Sequence, residues 1–285
     1  MQDLQWYPGH MAKTRRLIEE NLKFIDVVVE ILDARIPFSG RNPNFDDIIK
    51  NKPRLLVMNK SDLADKNLTR QWIEAYKEKG LKVIPISCTT GAGINKVTAE
   101  ARALIQDKIA REKEKGRNRT LKIMMVGIPN VGKSSLINRL IGKASTKTGD
   151  RPGVTRGKQW LRLKGDIELL DTPGILPPKF ENQEAAKRLA YTGAIKDEIM
   201  NTELLAYHLC EYLREAYPEL LCARYKLDSI NGLEGYEILE KIGRKRGFVI
   251  SGGEIDMERA ANMVLDELRS ARIGNITLEK PQKES

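Results

Sequence analysis

Three short motifs in this chain carry residue types that hold nucleotides. Residues 127–134 read Gly-Ile-Pro-Asn-Val-Gly-Lys-Ser, residues 171–174 read Asp-Thr-Pro-Gly, and residues 59–62 read Asn-Lys-Ser-Asp. The first matches the pattern G-x-x-x-x-G-K-[ST], whose glycines let backbone N–H groups wrap around phosphates while a following helix adds its positive end. Together the three motifs make a complete GTPase set and predict a GTP/GDP site.

The first two motifs supply groups for phosphates and for Mg²⁺. We expect Lys133 to reach the β- and γ-phosphates and the Ser134 hydroxyl to coordinate the ion. Asp171 ends an apolar stretch, where its carboxylate would hold Mg²⁺ through water, and the Gly174 N–H would meet the γ-phosphate. The same loop is expected to contact the nucleotide through Asn130, Val131, Gly132 and Ser135.

A further Mg²⁺ ligand is expected between these motifs, in the turn-rich loop at residues 152–157. A switch that senses the γ-phosphate needs a hydroxyl that can join the metal shell, and Thr155 is our first choice. Thr146 and Thr148 are weaker candidates. The alternative is that Thr155 is an ordinary threonine on a surface loop.

The Asn-Lys-Ser-Asp motif predicts which base is bound. The Asp62 carboxylate can accept hydrogen bonds from N1 and N2 of guanine, a donor pair that adenine lacks. Lys60 would lie along the base plane, and Asn59 would brace neighbouring loops. Ser87 and Cys88 end a later strand and resemble the GTPase segment whose backbone N–H meets guanine O6, a role that would fall to Cys88.

The order of the motifs is rotated, because an ordinary GTPase has the phosphate loop first and the base-reading motif near its end. Here the base-reading motif comes first and Asp-Thr-Pro-Gly last. The chain therefore resembles the circularly permuted GTPases, and the opening Trp-Tyr-Pro-Gly-His-Met at residues 6–11 is similar to the ribosome biogenesis GTPase A (RbgA, YlqF) family. The resemblance implies a GTP-hydrolysing factor that binds the large ribosomal subunit and its rRNA late in subunit maturation.

The usual catalytic glutamine is missing. Many GTPases place it just after Asp-x-x-Gly to orient water, whereas this chain has Ile175, so we expect slow hydrolysis that the ribosomal subunit stimulates. Asn130 would hold K⁺ as in cation-dependent GTPases, or would only shape the turn. His10, which in the resembled family is proposed to orient water, would otherwise cap a helix or bind RNA. The expected catalytic set is His10, Lys133, Thr155 and Gly174.

Strands that alternate with helical periodicity predict an α/β fold with a mostly parallel sheet covered on both faces. Strands are predicted at 26–32, 54–58, 82–86, 121–126, 158–163 and 166–170, the last two as an antiparallel hairpin. Helices are predicted near 10–23, 67–79, 94–112 and 133–142. Beyond the prolines at 177 and 178 only helices follow, near 182–199, 202–215, 234–245 and 256–272, with a low-complexity tail from Gly274.

We therefore predict a circularly permuted P-loop GTPase domain at 1–178 and a small all-helical domain at 179–285. Arg244, Lys245 and Arg246 are the expected RNA contacts of the second domain. The prolines between the domains form a stiff connector, so we expect loss of the γ-phosphate to move the helical domain.

Composition bounds the partners and the compartment. The 285 residues carry a net charge of +10, which favours a polyanionic partner. Three widely spaced cysteines disfavour disulfides and zinc sites. Neither a signal peptide nor a membrane span is evident, so we expect a cytoplasmic protein without membrane contact. We also expect a monomer. Two alternatives remain: a non-ribosomal GTPase switch that controls a protein partner, and a small-subunit assembly GTPase, disfavoured because no OB-fold is evident.

Overall fold

One mostly parallel sheet carries the three motifs. The computed structural model describes residues 8–49, 52–117, 119–142, 159–174, 176, 182–195 and 201–281. Within these ranges the strands are β1 (Val27–Asp33), β2 (Arg54–Asn59), β3 (Lys82–Pro85), β4 (Leu121–Gly127), β5 (Gln159–Leu163) and β6 (Ile167–Asp171). Their order across the sheet is β3-β2-β1-β4-β6-β5.

The pairing of the strands confirms the predicted fold class. Strands β1, β2, β3, β4 and β6 pair in parallel, and β5 pairs antiparallel with β6 as the predicted edge hairpin. The central strand β1 is buried at all seven positions, as expected for a parallel strand covered on both faces. This burial explains its nearly continuous apolar sequence, which only Glu30 and Asp33 interrupt.

Helices precede, follow and connect the strands of the first part of the chain. They are α1 (Pro8–Leu22), α2 (Asn44–Ile49), α3 (Lys66–Glu78), α4 (Ile94–Ala103), α5 (Gln106–Glu114) and α6 (Lys133–Ile141). The single helix predicted at 94–112 is wrong, because the chain breaks at Ile105, whose φ is −127° and whose side chain is buried. The sequence pattern also does not predict α2, which spans six residues.

The remainder of the described chain forms helices, as predicted, and includes one helix that the sequence pattern does not predict, at Pro218–Tyr225. It contains α7 (Gln183–Tyr191), α8 (Thr202–Ala216), α9 (Pro218–Tyr225), α10 (Gly235–Arg246) and α11 (Met257–Arg269), with α8 packed against both α10 and α11. Helix α7 ends earlier than predicted, because Gly193 takes a left-handed turn with φ of 73°. The predicted domain boundary falls among residues 177–181, which lie outside the described ranges. Among the helices that the structure describes, none combines the length and apolar content needed to cross a bilayer.

The end of the chain packs against the sheet domain, although its sequence resembles a simple tail. We call residues 273–281 the C-terminal strap. Ile276 and Leu278 are buried within it, the backbone N–H of Leu278 donates to the Arg35 carbonyl at 2.7 Å, and the Trp72 indole donates to the Glu279 carbonyl at 3.0 Å. The apolar core of the helical part is continuous with one face of the sheet.

Candidate nucleotide-binding site

The predicted site residues lie at the carboxyl ends of parallel strands of the sheet. Asn59 ends β2, Gly127 ends β4 and Asp171 ends β6. In open parallel sheets, ligands bind beyond this edge, because the loops that follow the strands converge there. The rotated order of the motifs therefore still produces one site.

The phosphate loop connects β4 to the start of α6. Gly132 precedes the first residue of α6 with φ of 95° and ψ of 22°, a left-handed conformation that strains other residues. Lys133 and Ser134 occupy the first turn of α6, with Lys133 buried and Ser134 half-buried. Asn130 is also left-handed, with φ of 57°. The loop thus has the strand–turn–helix context that its motif requires.

Lys133 joins the phosphate loop to the Asp-Thr-Pro-Gly segment. Its Nζ lies 3.3 Å from Asp171 Oδ1 and donates to the backbone oxygen of Thr172. Burial lowers the pKa of Lys133, while the nearby Asp171 carboxylate acts in the opposite direction. The Thr172 hydroxyl donates to the Met125 carbonyl at 2.6 Å, which fixes the segment on β4. The cation and the acidic group expected around the phosphates are therefore adjacent.

Gly174 also lies close to the phosphate loop. A Cβ atom on Gly174 would lie 2.9 Å from the Pro129 backbone nitrogen and 3.2 Å from the Ile128 carbonyl carbon. Only glycine fits at this distance without a shift of backbone atoms. Ile175, which follows, lies outside the described residues, as do Thr146, Thr148 and Thr155.

The donor groups present fit Mg²⁺. Asp171 supplies a buried carboxylate, and Ser134 supplies a hydroxyl on the first turn of α6. Such hard oxygen donors, few in number and completed by phosphate and water oxygens, are typical of Mg²⁺ in nucleotide sites. In the described ranges, no cluster of three or more His, Cys, Asp or Glu residues could hold a metal by itself.

Asn59 links the base-reading motif to two other loops. Its Nδ2 donates to the Val131 carbonyl at 2.9 Å, and its Oδ1 accepts from the Cys88 backbone N–H at 3.0 Å. A Cβ on Gly132 would lie 2.2 Å from the same Nδ2, so the contact requires glycine there. The buried Asn59 amide thus braces the phosphate loop against the loop that follows β3.

Asp62 presents an acceptor with no partner. Its Oδ1 is buried and makes no hydrogen bond, although the preceding Ser61 is held by two hydrogen bonds to the Ile86 carbonyl, from its N–H and its hydroxyl. A buried carboxylate oxygen that lacks a donor is costly, so the Asp62 carboxylate has acceptor capacity that the protein leaves unused. The guanine N1–H and N2–H are donors that can fill this capacity.

Lys60 is held between two loops, in a left-handed conformation with φ of 61°. Its Nζ donates to the Asn130 carbonyl at 2.9 Å and pairs with Asp33 at 2.9 Å. Asp33 also pairs with Arg35 at 2.8 Å, with both side chains buried. Burial alone would raise the pKa of Asp33, but the Arg35 and Lys60 cations hold it well below its ordinary value.

Asp33 is a site residue that the sequence reasoning missed, although a signal was present. It is a polar residue at the end of an apolar strand, as are Asn59 and Asp171. Arg139, in α6, was also missed. It donates to the carbonyls of Cys88 at 2.9 Å and Thr89 at 2.7 Å, and no local pattern marks it.

Ser87 and Cys88 form the loop beside Asn59. The buried Ser87 hydroxyl accepts from the Thr90 N–H at 3.0 Å, which tightens the turn. Burial raises the pKa of the Cys88 thiol to about 11, so this thiol is neutral near pH 7. A neutral thiol is a poor nucleophile, which agrees with a backbone role for Cys88 rather than a reactive one.

The structure describes the side chain of one candidate catalytic residue, Asn130, but not that of the other, His10. The Asn130 side chain donates from Nδ2 to the Gly193 carbonyl at 2.8 Å, so its amide contacts the turn after α7. His10 lies in the first turn of α1, and its side chain is outside the described part of the molecule. The other histidine, His208, lies on α8, half-buried, with Nδ1 3.1 Å from Glu211, away from these motifs in the sequence.

The three predicted RNA contacts end α10. Arg244, Lys245 and Arg246 are exposed, and the first two line a surface groove of about 410 Å³. Arg246 stacks over the Tyr225 ring at 5.3 Å and lies 3.7 Å from Glu267, so its charge is partly engaged within the protein. The other residues lining the groove are Leu227, Asp228, Ser229 and Lys241.

Comparisons with known proteins agree with this geometry. Residues 122–218 match the family model described as 50S ribosome-binding GTPase. The chain is 48% identical over 281 residues to ribosome biogenesis GTPase A of Bacillus cereus, covering 98% of this chain and 95% of that protein. A GDP-bound YlqF structure superposes with a TM-score of 0.66 at 27% identity, covering 93% of this chain and 99% of the other. GNP-bound YlqF from T. maritima gives 0.65 at 28% identity, covering 95% and 100%.

Proposed function

The chain belongs to the ribosome biogenesis GTPase A family, and we propose that it hydrolyses GTP while bound to the large ribosomal subunit, late in the maturation of that subunit. A role as a ribosome-assembly GTPase follows from the family itself. The choice of the large subunit is supported by the match to 50S ribosome-binding GTPases over residues 122–218. The net charge of +10 supports rRNA as the surface that it contacts.

The observation that carries the guanine assignment is the unpartnered Oδ1 of Asp62. Guanine would supply N–H donors to the Asp62 carboxylate, whereas adenine would leave it unsatisfied at a cost of about 1–3 kcal/mol. Lys60 would support the plane of the base from its bonded position. The Cys88 backbone N–H donates to Asn59 Oδ1 at 3.0 Å, so to meet guanine O6 it would exchange this hydrogen bond for one to the base.

For hydrolysis, the groups of this chain would bind and orient the phosphates. Lys133 would exchange part of its contact with Asp171 and Thr172 for the β- and γ-phosphates. Bound Mg²⁺, held by Ser134, Asp171 and Thr155, would neutralise charge that develops on the phosphate oxygens. The Gly174 N–H would contact the γ-phosphate. Loss of the γ-phosphate on hydrolysis would then free the segment that leads to α7. K⁺ at Asn130 would add to the charge stabilisation.

His10, in the first turn of α1, is the proposed water-orienting group, and the support is the resemblance of residues 6–11 to the family. His10→Ala should lower kcat by about ten-fold or more and leave GTP affinity nearly unchanged, because the group would act on water in the transition state. His208→Ala is the matched control and should change neither quantity. A loss of GTP affinity with normal kcat for His10→Ala would assign that histidine a binding role.

The basic end of α10 is the proposed rRNA contact, since Arg244 and Lys245 line an open groove. Co-sedimentation with immature large subunits tests this assignment. Replacement of Arg244, Lys245 and Arg246 by Ala should weaken binding and flatten its dependence on salt, because fewer phosphates would be neutralised. Replacement of the exposed Lys66, at the start of α3, by Ala is a control and should change binding much less. Equal binding by the triple variant and the unmodified protein would remove these residues from the interface.

The proposed factor acts as a monomer in the cytoplasm, without membrane contact. If the protein binds no ribosomal particle, a GTPase switch with a protein partner becomes the better interpretation. Selective binding to small subunits would favour a small-subunit assembly GTPase.

A further inference from the structure

The C-terminal strap holds the turn that carries Asp62. The Asn275 amide Nδ2 donates to the Asp62 carbonyl at 2.6 Å and lies 3.3 Å from the Ala64 carbonyl. The next backbone N–H, that of Ile276, donates to the Leu63 carbonyl at 3.2 Å. Two consecutive strap residues therefore hold three consecutive residues of this turn, across more than 200 positions of sequence.

Thr277, the next strap residue, extends the same contact into α3. The Thr277 hydroxyl accepts from the backbone N–H of Asp65 at 3.1 Å, and Asp65 caps α3 by accepting from the second and third N–H groups. Thr277 is itself fixed, because its carbonyl accepts from the Tyr212 hydroxyl at 3.2 Å and the Tyr217 hydroxyl at 2.9 Å. Thr277 thus links the base-reading turn to Tyr212 in α8 and to Tyr217, which directly follows α8.

The far end of the strap is anchored separately. The Glu279 carboxylate accepts from the Ser39 N–H at 2.9 Å, from the Ser39 hydroxyl at 2.5 Å and from Arg188 at 3.2 Å. Glu279 is buried, as are Ile276 and Leu278. Because the strap is fixed at several points, Asn275 acts from a stable support even though its own side chain is exposed.

This support matters because the Asp62 Oδ1 has no hydrogen bond to fix it. Its direction then depends on the backbone of the turn, which Asn275 holds directly at the Asp62 carbonyl. We propose that Asn275 is a positioning residue for guanine selectivity: it holds the Asp62 backbone so that the carboxylate meets both donors of the base. This inference rests on the proposed role of Asp62 and adds a residue at the opposite end of the chain to the specificity machinery.

The test compares the affinities of GDP and inosine diphosphate, whose base lacks the N2 amino group. In the unmodified protein GDP should bind more tightly, and Asn275→Ala should reduce that preference about three- to ten-fold, the size expected for one hydrogen bond of an amide. The exposed strap residue Lys280, changed to Ala, should leave the preference intact. In an Asp62→Ala background, Asn275→Ala should have no further effect on it, because the group to be positioned is gone.

The outcomes distinguish the proposed role of Asp62 from the proposed role of Asn275. An unmodified protein that binds both nucleotides equally would contradict the role of Asp62 itself. If the unmodified protein prefers GDP and Asn275→Ala keeps the full preference, the positioning role of Asn275 is wrong. Equal weakening of both nucleotides, or a lower melting temperature of the nucleotide-free protein with an unchanged preference, would show a purely structural role. Asn275→Asp, which keeps the shape but turns a charged acceptor towards both carbonyls, should reduce the preference at least as much as Asn275→Ala.

Discussion

The Lys60 ammonium donates to the backbone oxygen of Asn130 across 2.9 Å, and this contact joins two motifs 70 residues apart in the chain. The base-reading motif precedes the phosphate loop here, whereas the reverse order is usual. The contact shows why the order does not matter to the site: both loops leave the same edge of the sheet, and their side chains meet there. A circular permutation changes the connections between strands and leaves their positions unchanged.

Asp62→Asn should shift binding from guanine towards xanthine nucleotides. The amide presents a donor where the carboxylate presents an acceptor, and xanthine carries an oxygen in place of the guanine amino group. We expect GDP affinity to fall about 100-fold, consistent with the rejection of a mismatched polar group. Competition between GDP, xanthosine diphosphate and ADP for a fluorescent nucleotide measures the effect. Comparable binding of ADP and GDP by the unmodified protein would contradict the assignment of Asp62.

Gly132→Ala should abolish most nucleotide binding, because the added Cβ would lie 2.2 Å from Asn59 Nδ2 and would displace the brace of the phosphate loop. Gly247→Ala is a matched control. Gly247 has a similar left-handed backbone, with φ of 72° and ψ of 26°, and no atom within 4 Å of the added carbon. Both variants should lose about 1 kcal/mol of stability from backbone strain. Retention of normal GDP affinity by Gly132→Ala would show that the Asn59 brace is dispensable.

The Asp33–Arg35 pair should contribute to stability in a pH-dependent manner. The folded state lowers the pKa of Asp33, so the stabilisation is present above the unfolded-state pKa, about 3.9, and is lost as the pH falls below it. Asp33→Asn should therefore cost about 3 kcal/mol at pH 7, because it leaves Arg35 buried without its carboxylate. Below about pH 4 the difference from the unmodified protein should shrink.

Urea unfolding at several pH values between 3 and 7 measures this difference. The exposed carboxylate of Asp107, changed to Asn, serves as the control and should cost less than about 1 kcal/mol. A difference between the Asp33 variant and the unmodified protein that stays constant across the range would contradict the lowered pKa.

Much of this architecture could be predicted because local signals and the final fold agree. Strand β2 is predicted within one residue, since an apolar run flanked by polar residues allows few other interpretations. The phosphate loop is equally local, because its glycines, lysine and serine are consecutive. The predicted motifs also contact one another, because the side chains of Asn59 and Lys60 donate hydrogen bonds to carbonyls of the phosphate loop.

The C-terminal strap could not be predicted in this way. Residues 273–281 are too short and too mixed to show a helical or strand pattern, and their apolar residues are Ile273, Ile276 and Leu278. Their burial depends on surfaces formed by Leu63, Arg35 and α8, which come together only in the tertiary structure. The break at Ile105 has a similar origin, since packing of that side chain overrides the local helical preference.

Hydrolysis should be faster in K⁺ than in Na⁺ at one ionic strength. A K⁺ ion near Asn130 would stabilise the charge that develops on the phosphate oxygens, at a site that lacks the usual catalytic glutamine. Asn130→Gly should remove the difference between the two salts. Glycine tolerates the left-handed φ of 57° at this position, so the substitution removes the amide with little backbone strain. Equal turnover of the unmodified protein in both salts would eliminate the role of K⁺.

The most direct test of the proposed function is GTP turnover in the presence of purified ribosomal subunits. Large and small subunits are added separately, at one ionic strength and with excess GTP, and released phosphate is followed over time. We predict slow turnover alone and an increase of about ten-fold or more with large subunits, since GTPases gain at least this much from groups supplied in trans. Stimulation by small subunits alone, or unchanged turnover with either subunit, would contradict a function on the large subunit.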